Sequence, residues 1–140
     1  MSSHDLARVE RKLRESGFKV TPQRMAVARA VLASREHPTA DDLHRAVRRR
    51  FPSMSLTTVY HTLETLERLG EVAELRIGEV TRFDPNRQAH DHFVCVACRR
   101  ILDVDRAEGP APAPPALPAG YEAVDYQVQF GGYCAACRPA

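Results

Sequence analysis

The sequence lacks the features of a membrane protein or a secreted protein. No stretch approaches the ~20 consecutive apolar residues that a membrane-spanning helix requires. The first residues, Met-Ser-Ser-His-Asp, also lack the apolar segment of a secretory signal. Disorder is disfavoured as well, because 44% of the 140 residues are apolar and 27% are charged. We therefore expect a folded cytoplasmic protein of one ordinary domain or two small ones, with no membrane partner.

Cysteine is scarce, and its placement is informative. All four cysteines fall into two Cys-x-x-Cys pairs, Cys95 with Cys98 and Cys134 with Cys137. A redox motif would accompany a βαβ pattern, which the sequence does not contain. The spacing lets two thiolates bind one zinc ion from a tight turn, so metal binding is favoured over disulfides in a reducing compartment.

A second group of candidate ligands lies directly before the first cysteine pair. The segment 84–98 contains Asp84 and the His-x-His pair His90 and His92. On an extended segment, residues two apart point to the same face, so both imidazoles can bind one ion. We therefore expect two metal sites of different chemistry.

Charge is distributed unevenly, although the net charge is only +2. Residues 8–50 carry twelve Lys or Arg and five Asp or Glu, a local net charge of +7. This basic segment indicates a polyanionic partner such as nucleic acid, the alternative being an ordinary solvated basic surface.

Apolar periodicity predicts four helices in the amino-terminal part. The first covers about residues 5–16. The later helix starts are marked by the capping residues Thr21, Thr39 and Ser55, and three of the ends by Gly17, His37-Pro38 and Gly70. Residues 71–77 and 80–83 are predicted as strands of a hairpin with a II′ turn at Gly78-Glu79. This order of elements predicts a winged helix-turn-helix with helix four in the major groove of DNA, the alternative being a plain helical bundle capped by a hairpin.

The remaining residues predict a hinge and a second, smaller unit. We expect an α+β fold with a winged-helix domain at 1–83, a hinge at 84–88 and a small α/β dimerisation domain at 89–140. Strands are predicted at 92–95, 101–104 and 124–130, and the proline-rich segment 109–120 is predicted as a surface loop. With so little core, this unit is expected to depend on zinc and on a partner subunit.

Five motifs follow one another along the chain: Thr-Pro-Gln-Arg at 21–24, Thr-Thr-Val-Tyr at 57–60, Arg-Phe-Asp at 82–84, His-Asp-His-Phe-Val-Cys-Val-Ala-Cys at 90–98 and Cys-Ala-Ala-Cys at 134–137. In combination they resemble the ferric uptake regulator (Fur) family, over nearly the whole chain. The resemblance implies a homodimeric, metal-responsive repressor that binds a palindromic DNA duplex through a winged-helix domain.

The resemblance also implies two metal sites and a DNA-binding surface. The four cysteines would bind a structural zinc. The regulatory site, for Fe²⁺ or Mn²⁺, would comprise His37, Asp84, His90, His92 and Asp103, a set of imidazoles and carboxylates that suits those ions. The candidate DNA contacts are Ser55, Thr57, Thr58, Tyr60, His61, Lys19, Arg24 and Arg76.

The identity of residue 84 bears on which signal the protein senses, peroxide or metal supply. Iron-uptake and zinc-uptake members commonly have Glu at the corresponding place, whereas peroxide-sensing members (PerR) have Asp. The resemblance therefore implies a peroxide sensor, in which iron-dependent oxidation of His37 or His90 releases metal and DNA. The alternative is an iron-, manganese- or zinc-responsive uptake regulator without peroxide chemistry.

Two other classes of protein explain less of the sequence. A small metalloenzyme would need an acid or base beyond the ligands, and none is evident, so we do not expect an enzyme. A zinc-ribbon interaction module would leave His37, Asp84 and Asp103 unexplained. The sequence assigns no role to Glu108.

Overall fold

The computed structural model describes residues 3–106, 113, 115–124 and 126–140. The chain forms two compact units, Met1–Arg87 and Gln88–Ala140. Helices lie in the first unit and small antiparallel or mixed sheets in both, so the predicted α+β class is confirmed. Among the described residues, no helix is both long enough and apolar enough to cross a membrane.

The first unit begins with four helices: α1 (Ser3–Glu15), α2 (Pro22–Ala33), α3 (Ala40–Arg48) and α4 (Leu56–Arg68). The predicted capping residues stand directly before three of them. Thr21 accepts a hydrogen bond from the backbone N–H of Arg24 (3.2 Å), and Ser55 accepts one from Thr58 (3.1 Å). Thr39 forms a capping box with Asp42. The predicted helix starts are therefore confirmed.

The helices surround one apolar core. Its buried side chains come from all four helices and from the segments that follow them: Val9, Leu13, Phe18, Val27, Ala28, Val31, Ala40, Leu43, Val47, Met54, Val59, Leu63, Leu66, Val72 and Phe83. Because these residues recur every three or four positions along each helix, each helix turns one face to the core.

Helix α1 ends in a Schellman motif. Gly17 takes a φ of 81°, its N–H donates to Arg14 O (3.1 Å), and the N–H of Phe18 donates to Leu13 O (3.1 Å). This motif turns the chain sharply and carries the Phe18 side chain back towards the core.

Helix α4 ends in the same way, which corrects one predicted strand boundary. Gly70 N–H donates to Glu67 O and Glu71 N–H donates to Leu66 O, both at 2.9 Å. Glu71 therefore belongs to the helix cap and is fully buried, rather than starting a strand as predicted. Strand β1 (Ala73–Ile77) begins two residues later.

Strand β1 pairs with β2 (Val80–Asp84) in an antiparallel hairpin. Gly78 takes a φ of 62°, the sign that the first position of the predicted II′ turn requires. Asp84 is the last residue of β2, paired with Ala73, whereas the sequence predicted it as the first residue of the hinge.

The second unit contains a three-stranded sheet of β3 (His90–Cys95), β4 (Ile101–Asp105) and β5 (Gln129–Gly132), in the order β4-β3-β5. Strands β3 and β4 are antiparallel, and β3 and β5 are parallel. The predicted strand at 124–130 is wrong over most of its length, since β5 begins only at Gln129 and Val124 is 92% exposed.

The proline-rich segment is described only in part. Every described residue between 113 and 120 is exposed, which agrees with the predicted surface loop. Glu108, residues 109–112 and Asp125 lie outside the described residues.

Candidate metal sites and DNA-binding surface

The four cysteines form one cluster in the second unit. Cys95 ends β3, Cys98 follows in a turn, and Cys134 and Cys137 follow β5 in a second turn. The four sulfur atoms lie within 4.8 Å of one another, and none is in a disulfide. The Sγ atoms of Cys98 and Cys134 are 3.8 Å apart. Tetrahedral zinc with Zn–S bonds of about 2.3 Å places its sulfurs about 3.8 Å apart, so the cluster fits a structural zinc ion.

The backbone prepares these thiols for metal binding. N–H groups of Cys134 and Cys98 point at Cys95 Sγ and lower the pKa of the Cys95 thiol to about 6. A hydrogen bond from Cys137 lowers the pKa of Cys134, and the same bond raises the pKa of Cys137 to about 12 because Cys137 is the donor. These hydrogen bonds therefore lower the pKa of Cys95 and Cys134 towards the thiolate form that binds zinc.

His37 and Asp84 form a buried pair in the first unit. The His37 Nε2 and Asp84 carboxylate oxygen are 3.5 Å apart. His37 takes a φ of 51°, a left-handed conformation that is strained for a residue with a side chain. Two hydrogen bonds from the hairpin hold the backbone there: Arg82 donates to His37 O (3.1 Å), and Phe83 N–H donates to Pro38 O (3.0 Å). The hairpin thus fixes the imidazole beside the carboxylate.

The other three predicted regulatory ligands converge in the second unit. His92 is the register partner of Asp103, so both side chains lie on the same face of the sheet as His90. The two Nε2 atoms are 3.0 Å apart, and each lies 3.5–3.6 Å from one Asp103 oxygen. His90 Nδ1 is 2.6 Å from Gln88 O, a contact in which Nδ1 carries the proton and Nε2 offers its lone pair. Two imidazole nitrogens and one carboxylate oxygen, all candidate metal-ligand atoms, thereby lie close together.

The predicted DNA-binding residues lie on the first unit. Thr57, Tyr60 and His61 are exposed on α4, and Lys19 and Arg76 are exposed on the loop before α2 and on β1. Ser55 and Thr58 are engaged with each other in the helix cap, with hydroxyl oxygens 2.8 Å apart. Both hydroxyls therefore take part in the hydrogen bonds that cap the start of α4.

Sequence reasoning missed two residues of this unit. Phe18 lies between Arg24, whose guanidinium carbon is 4.7 Å from the ring centre, and His61, whose ring centre is 5.4 Å away. Glu71 accepts hydrogen bonds from Arg8 (2.6 and 3.0 Å) and Lys12 (2.6 Å). An aromatic residue in a polar connection and an acidic residue directly after a helix-ending glycine are the signals that could have identified them.

A winged helix joined to a unit with a four-thiol cluster and a His/Asp donor set defines a metal-dependent transcription regulator. The chain belongs to the ferric uptake regulator family, whose sequence profile matches residues 15–130. It is a metal-dependent repressor of that family.

Individual relatives agree with this assignment. The peroxide operon regulator of Bacillus subtilis is 34% identical over 98% of this chain and 96% of its own length. The structure of PerR from Streptococcus pyogenes, reported as a basis for peroxide sensing and gene regulation, is 30% identical, with a TM-score of 0.54 over 95% of this chain and 92% of that chain. The fold also resembles that of Fur from Helicobacter pylori, at 17% identity and a TM-score of 0.77 over 100% and 96% of the two chains.

Proposed function

We propose that this repressor senses peroxide through a regulatory ion held by His37, Asp84, His90, His92 and Asp103. The observation that carries the proposal is that each unit presents a compact part of this set. His37 pairs with Asp84 in the first unit, and His90 and His92 meet at Asp103 in the second. One ion bound by both parts would set the orientation of the winged helix, so metal binding and DNA binding would form one linked equilibrium.

The donor set supports iron or manganese as the regulatory metal. Three imidazoles and two carboxylates suit Fe²⁺ or Mn²⁺, while the thiolates are kept for zinc. These residues would hold ferrous iron, which would lend one electron to cleave the O–O bond of hydrogen peroxide and regain it as the imidazole is oxidised, so that iron is unchanged overall. The imidazole of His37 or His90 then gains one oxygen atom of the peroxide, and the other oxygen leaves as water. An oxidised imidazole is a poorer ligand, so the site loses its ion and the repressor loses DNA.

Asp84 and the peroxide regulators among the relatives support peroxide over metal supply as the signal. The test is peptide mass spectrometry of the zinc-containing protein, loaded anaerobically with Fe²⁺ and given a small dose of hydrogen peroxide. We expect a mass gain of one oxygen on the peptides that carry His37 or His90. Retention of a DNA duplex should fall in proportion to that gain.

Two controls make this test specific. A Mn²⁺-loaded sample should show no oxidation, because Mn²⁺ does not readily reduce peroxide. The peptide with His44 reports unspecific damage. His44 lies on α3, and its imidazole Nε2 is 2.8 Å from Met54 O. If His37 and His90 stay unmodified while metal still switches DNA binding, the protein is an iron-, manganese- or zinc-responsive uptake regulator instead.

We also propose that the second unit forms a homodimer through the sheet face opposite the histidines. Leu102, Phe93 and Phe130 are register neighbours across all three strands, and Leu102 and Phe130 are 60% and 48% exposed. An exposed apolar row fits a second copy of the chain, and regulators of this family act as dimers. Leu102→Asp should yield monomers in analytical ultracentrifugation, whereas Leu117→Asp, at an exposed site in the proline-rich segment, should remain dimeric. A dimeric Leu102→Asp protein would place the interface elsewhere.

The dimer would carry two winged helices to a palindromic operator in the cytoplasm, acting as a regulator and not as an enzyme. The exposed residues of α4 would enter the major groove, and Lys19, Arg24 and Arg76 would contact the flanking phosphates. We propose the domain limits 1–83 and 89–140, with 84–88 as the hinge between them.

A further inference from the structure

We infer that Phe18 is a positioning residue of the DNA-binding surface, an aromatic platform that holds Arg24 and His61 in the orientations in which they meet DNA. This inference rests on the proposed DNA-binding function. The sequence predicted Arg24 and His61 as contacts independently, one on α2 and one on α4. In the structure both side chains lie against the same ring.

The ring itself is fixed by the fold. Phe18 is only 9% exposed and belongs to the apolar core of the first unit. Its backbone is held by the Schellman motif at the end of α1, through the hydrogen bond from Phe18 N–H to Leu13 O. A buried ring on a fixed backbone provides a rigid surface for the more exposed side chains around it.

Arg24 is held on this platform by two contacts. Its guanidinium carbon lies 4.7 Å from the ring centre, within the range of a cation–π interaction. One of its nitrogens also donates to Lys19 O at 2.7 Å. Because the guanidinium forms only part of its hydrogen bonds there, it keeps donors for a phosphate or a base edge.

His61 packs against the ring from helix α4. The two ring centres are 5.4 Å apart and their planes are inclined at 52°, a tilted arrangement typical of aromatic pairs. The residue is exposed on the same turns of α4 as Thr57 and Tyr60. An imidazole held at a fixed tilt presents one ring nitrogen in a defined direction, which is what recognition of a base edge requires.

The benefit of the platform is preorganisation. Arg24 and His61 have already lost part of their rotamer freedom before DNA arrives, so less is lost on binding. Ordering one such side chain in advance is worth roughly two- to tenfold in affinity. For both residues together we expect an effect of about tenfold, concentrated in the preference for the selected sequence, because an unspecific duplex does not require a defined imidazole direction.

The test uses the full-length, zinc-containing protein loaded with Mn²⁺ and a duplex library randomised across two half-sites one helical turn apart. The wild-type protein first selects its preferred duplex from this library. Dissociation constants are then measured for that duplex and for a scrambled duplex of the same composition. We expect Phe18→Leu to weaken binding to the selected duplex about tenfold and binding to the scrambled duplex much less. Phe18→Tyr, which keeps the ring, should behave like the wild type.

Phe51→Leu is the matched control. Phe51 also packs against the core and also has an arginine over its ring, with the Arg50 guanidinium carbon 5.4 Å from the ring centre, but it lies three residues after the end of α3. A merely structural role of Phe18 predicts the same result for both leucine variants, namely a lower melting temperature with unchanged dissociation constants. Phe18→Met, whose flexible side chain adapts better to the space left by the ring, replaces Phe18→Leu if the latter does not fold.

A double-mutant cycle shows whether Phe18 acts through His61. If it does, the loss caused by Phe18→Leu should be clearly smaller in the background of His61→Ala than in the wild type. Equal losses in both backgrounds, or a Phe18→Leu variant that binds like Phe51→Leu, would overturn the inference about Phe18 and leave the proposed function intact. A wild-type protein that retains no duplex would overturn the proposed function, and the platform with it.

Discussion

The two units of the chain are stabilised in different ways. Within the described residues, the first unit buries a continuous core of fifteen apolar residues between Val9 and Phe83. Among the described apolar residues of the second unit, only Val94, Cys95 and Ile101 are buried, and one of these is a zinc ligand candidate. A unit this small cannot offset its loss of chain entropy by apolar burial alone. We therefore expect the first unit to fold around its apolar side chains, and the second unit to depend on a metal ion and a partner subunit.

Removal of one zinc ligand is the strongest way to test this contrast. We expect Cys134→Ser to unfold the second unit, since structural zinc contributes about 10–16 kcal/mol to the folding of small zinc domains. Hydrogen exchange followed by mass spectrometry should show loss of protection in β3 and β4, while α4 stays protected. Zinc content should fall to zero.

Ala135→Ser is the matched control, because it introduces the same side chain at the exposed neighbouring position. It should leave zinc content and protection unchanged. Continued protection of β3 in Cys134→Ser would show that the apolar contacts of the second unit suffice without metal.

The reverse experiment removes apolar volume from the first unit. Leu63 is fully buried on α4, so Leu63→Ala should lower the free energy of unfolding of this unit by about 2–5 kcal/mol. Urea titration monitored by helical circular dichroism measures the loss. Protection of β3 should not change.

Leu117→Ala serves as the comparison, since Leu117 is 44% exposed. Its effect should stay within about 0.5 kcal/mol. A loss of protection in the second unit upon Leu63→Ala would mean that the two units unfold together.

The elements that could be predicted from the sequence are those whose signals are local. The helix caps at Thr21, Thr39 and Ser55 are local signals, since each hydroxyl bonds a backbone group three residues away, and their prediction is confirmed. The alternation of Val124, Tyr126, Val128 and Phe130, which predicted a strand at 124–130, was equally local, but strand pairing is not. Strand β5 exists only where it meets β3, a partner far away in sequence, so the predicted strand began too early.

The sites followed the same rule. Cys-x-x-Cys spacing identified four candidate metal ligands from the sequence, because both members of a pair lie in one turn. His37 carries no such local pattern and was reached only through the resemblance to a family. Glu71 and Phe18 were missed because their roles come from residues on other elements, such as Arg8 and Arg24.

Glu71 is a buried charged residue in the otherwise apolar interior of the first unit. Its substitution has the smallest expected effect on stability and is the most specific test of this unit. Its carboxylate is fully buried and accepts hydrogen bonds from Arg8 and Lys12 of α1. Burial by itself raises the pKa of Glu71, but these hydrogen bonds outweigh burial, and the pKa lies below its ordinary value of 4.5. The ionised carboxylate therefore fastens α1 to the end of α4.

Glu71→Gln keeps the shape and removes the charge. At pH 7 we expect the free energy of unfolding to fall by about 1–3 kcal/mol, because Arg8 and Lys12 lose the negative charge of their shared partner and one of its two acceptor oxygens. A group with a lowered folded-state pKa contributes stability above its unfolded pKa and loses it as the pH falls through the folded value. The difference between wild type and variant should therefore be constant above about pH 4.5 and shrink below it.

Urea titrations of both proteins across this range measure the difference, and any loss of zinc in acid affects both alike. Glu10→Gln is the control, because Glu10 forms an exposed pair with Arg14 at 2.7 Å and such pairs contribute less than about 1 kcal/mol. A Glu71→Gln deficit that persists unchanged into acid would assign the effect to packing and not to charge. In that case the first unit would be held by apolar burial throughout, and its contrast with the metal-dependent second unit would be complete.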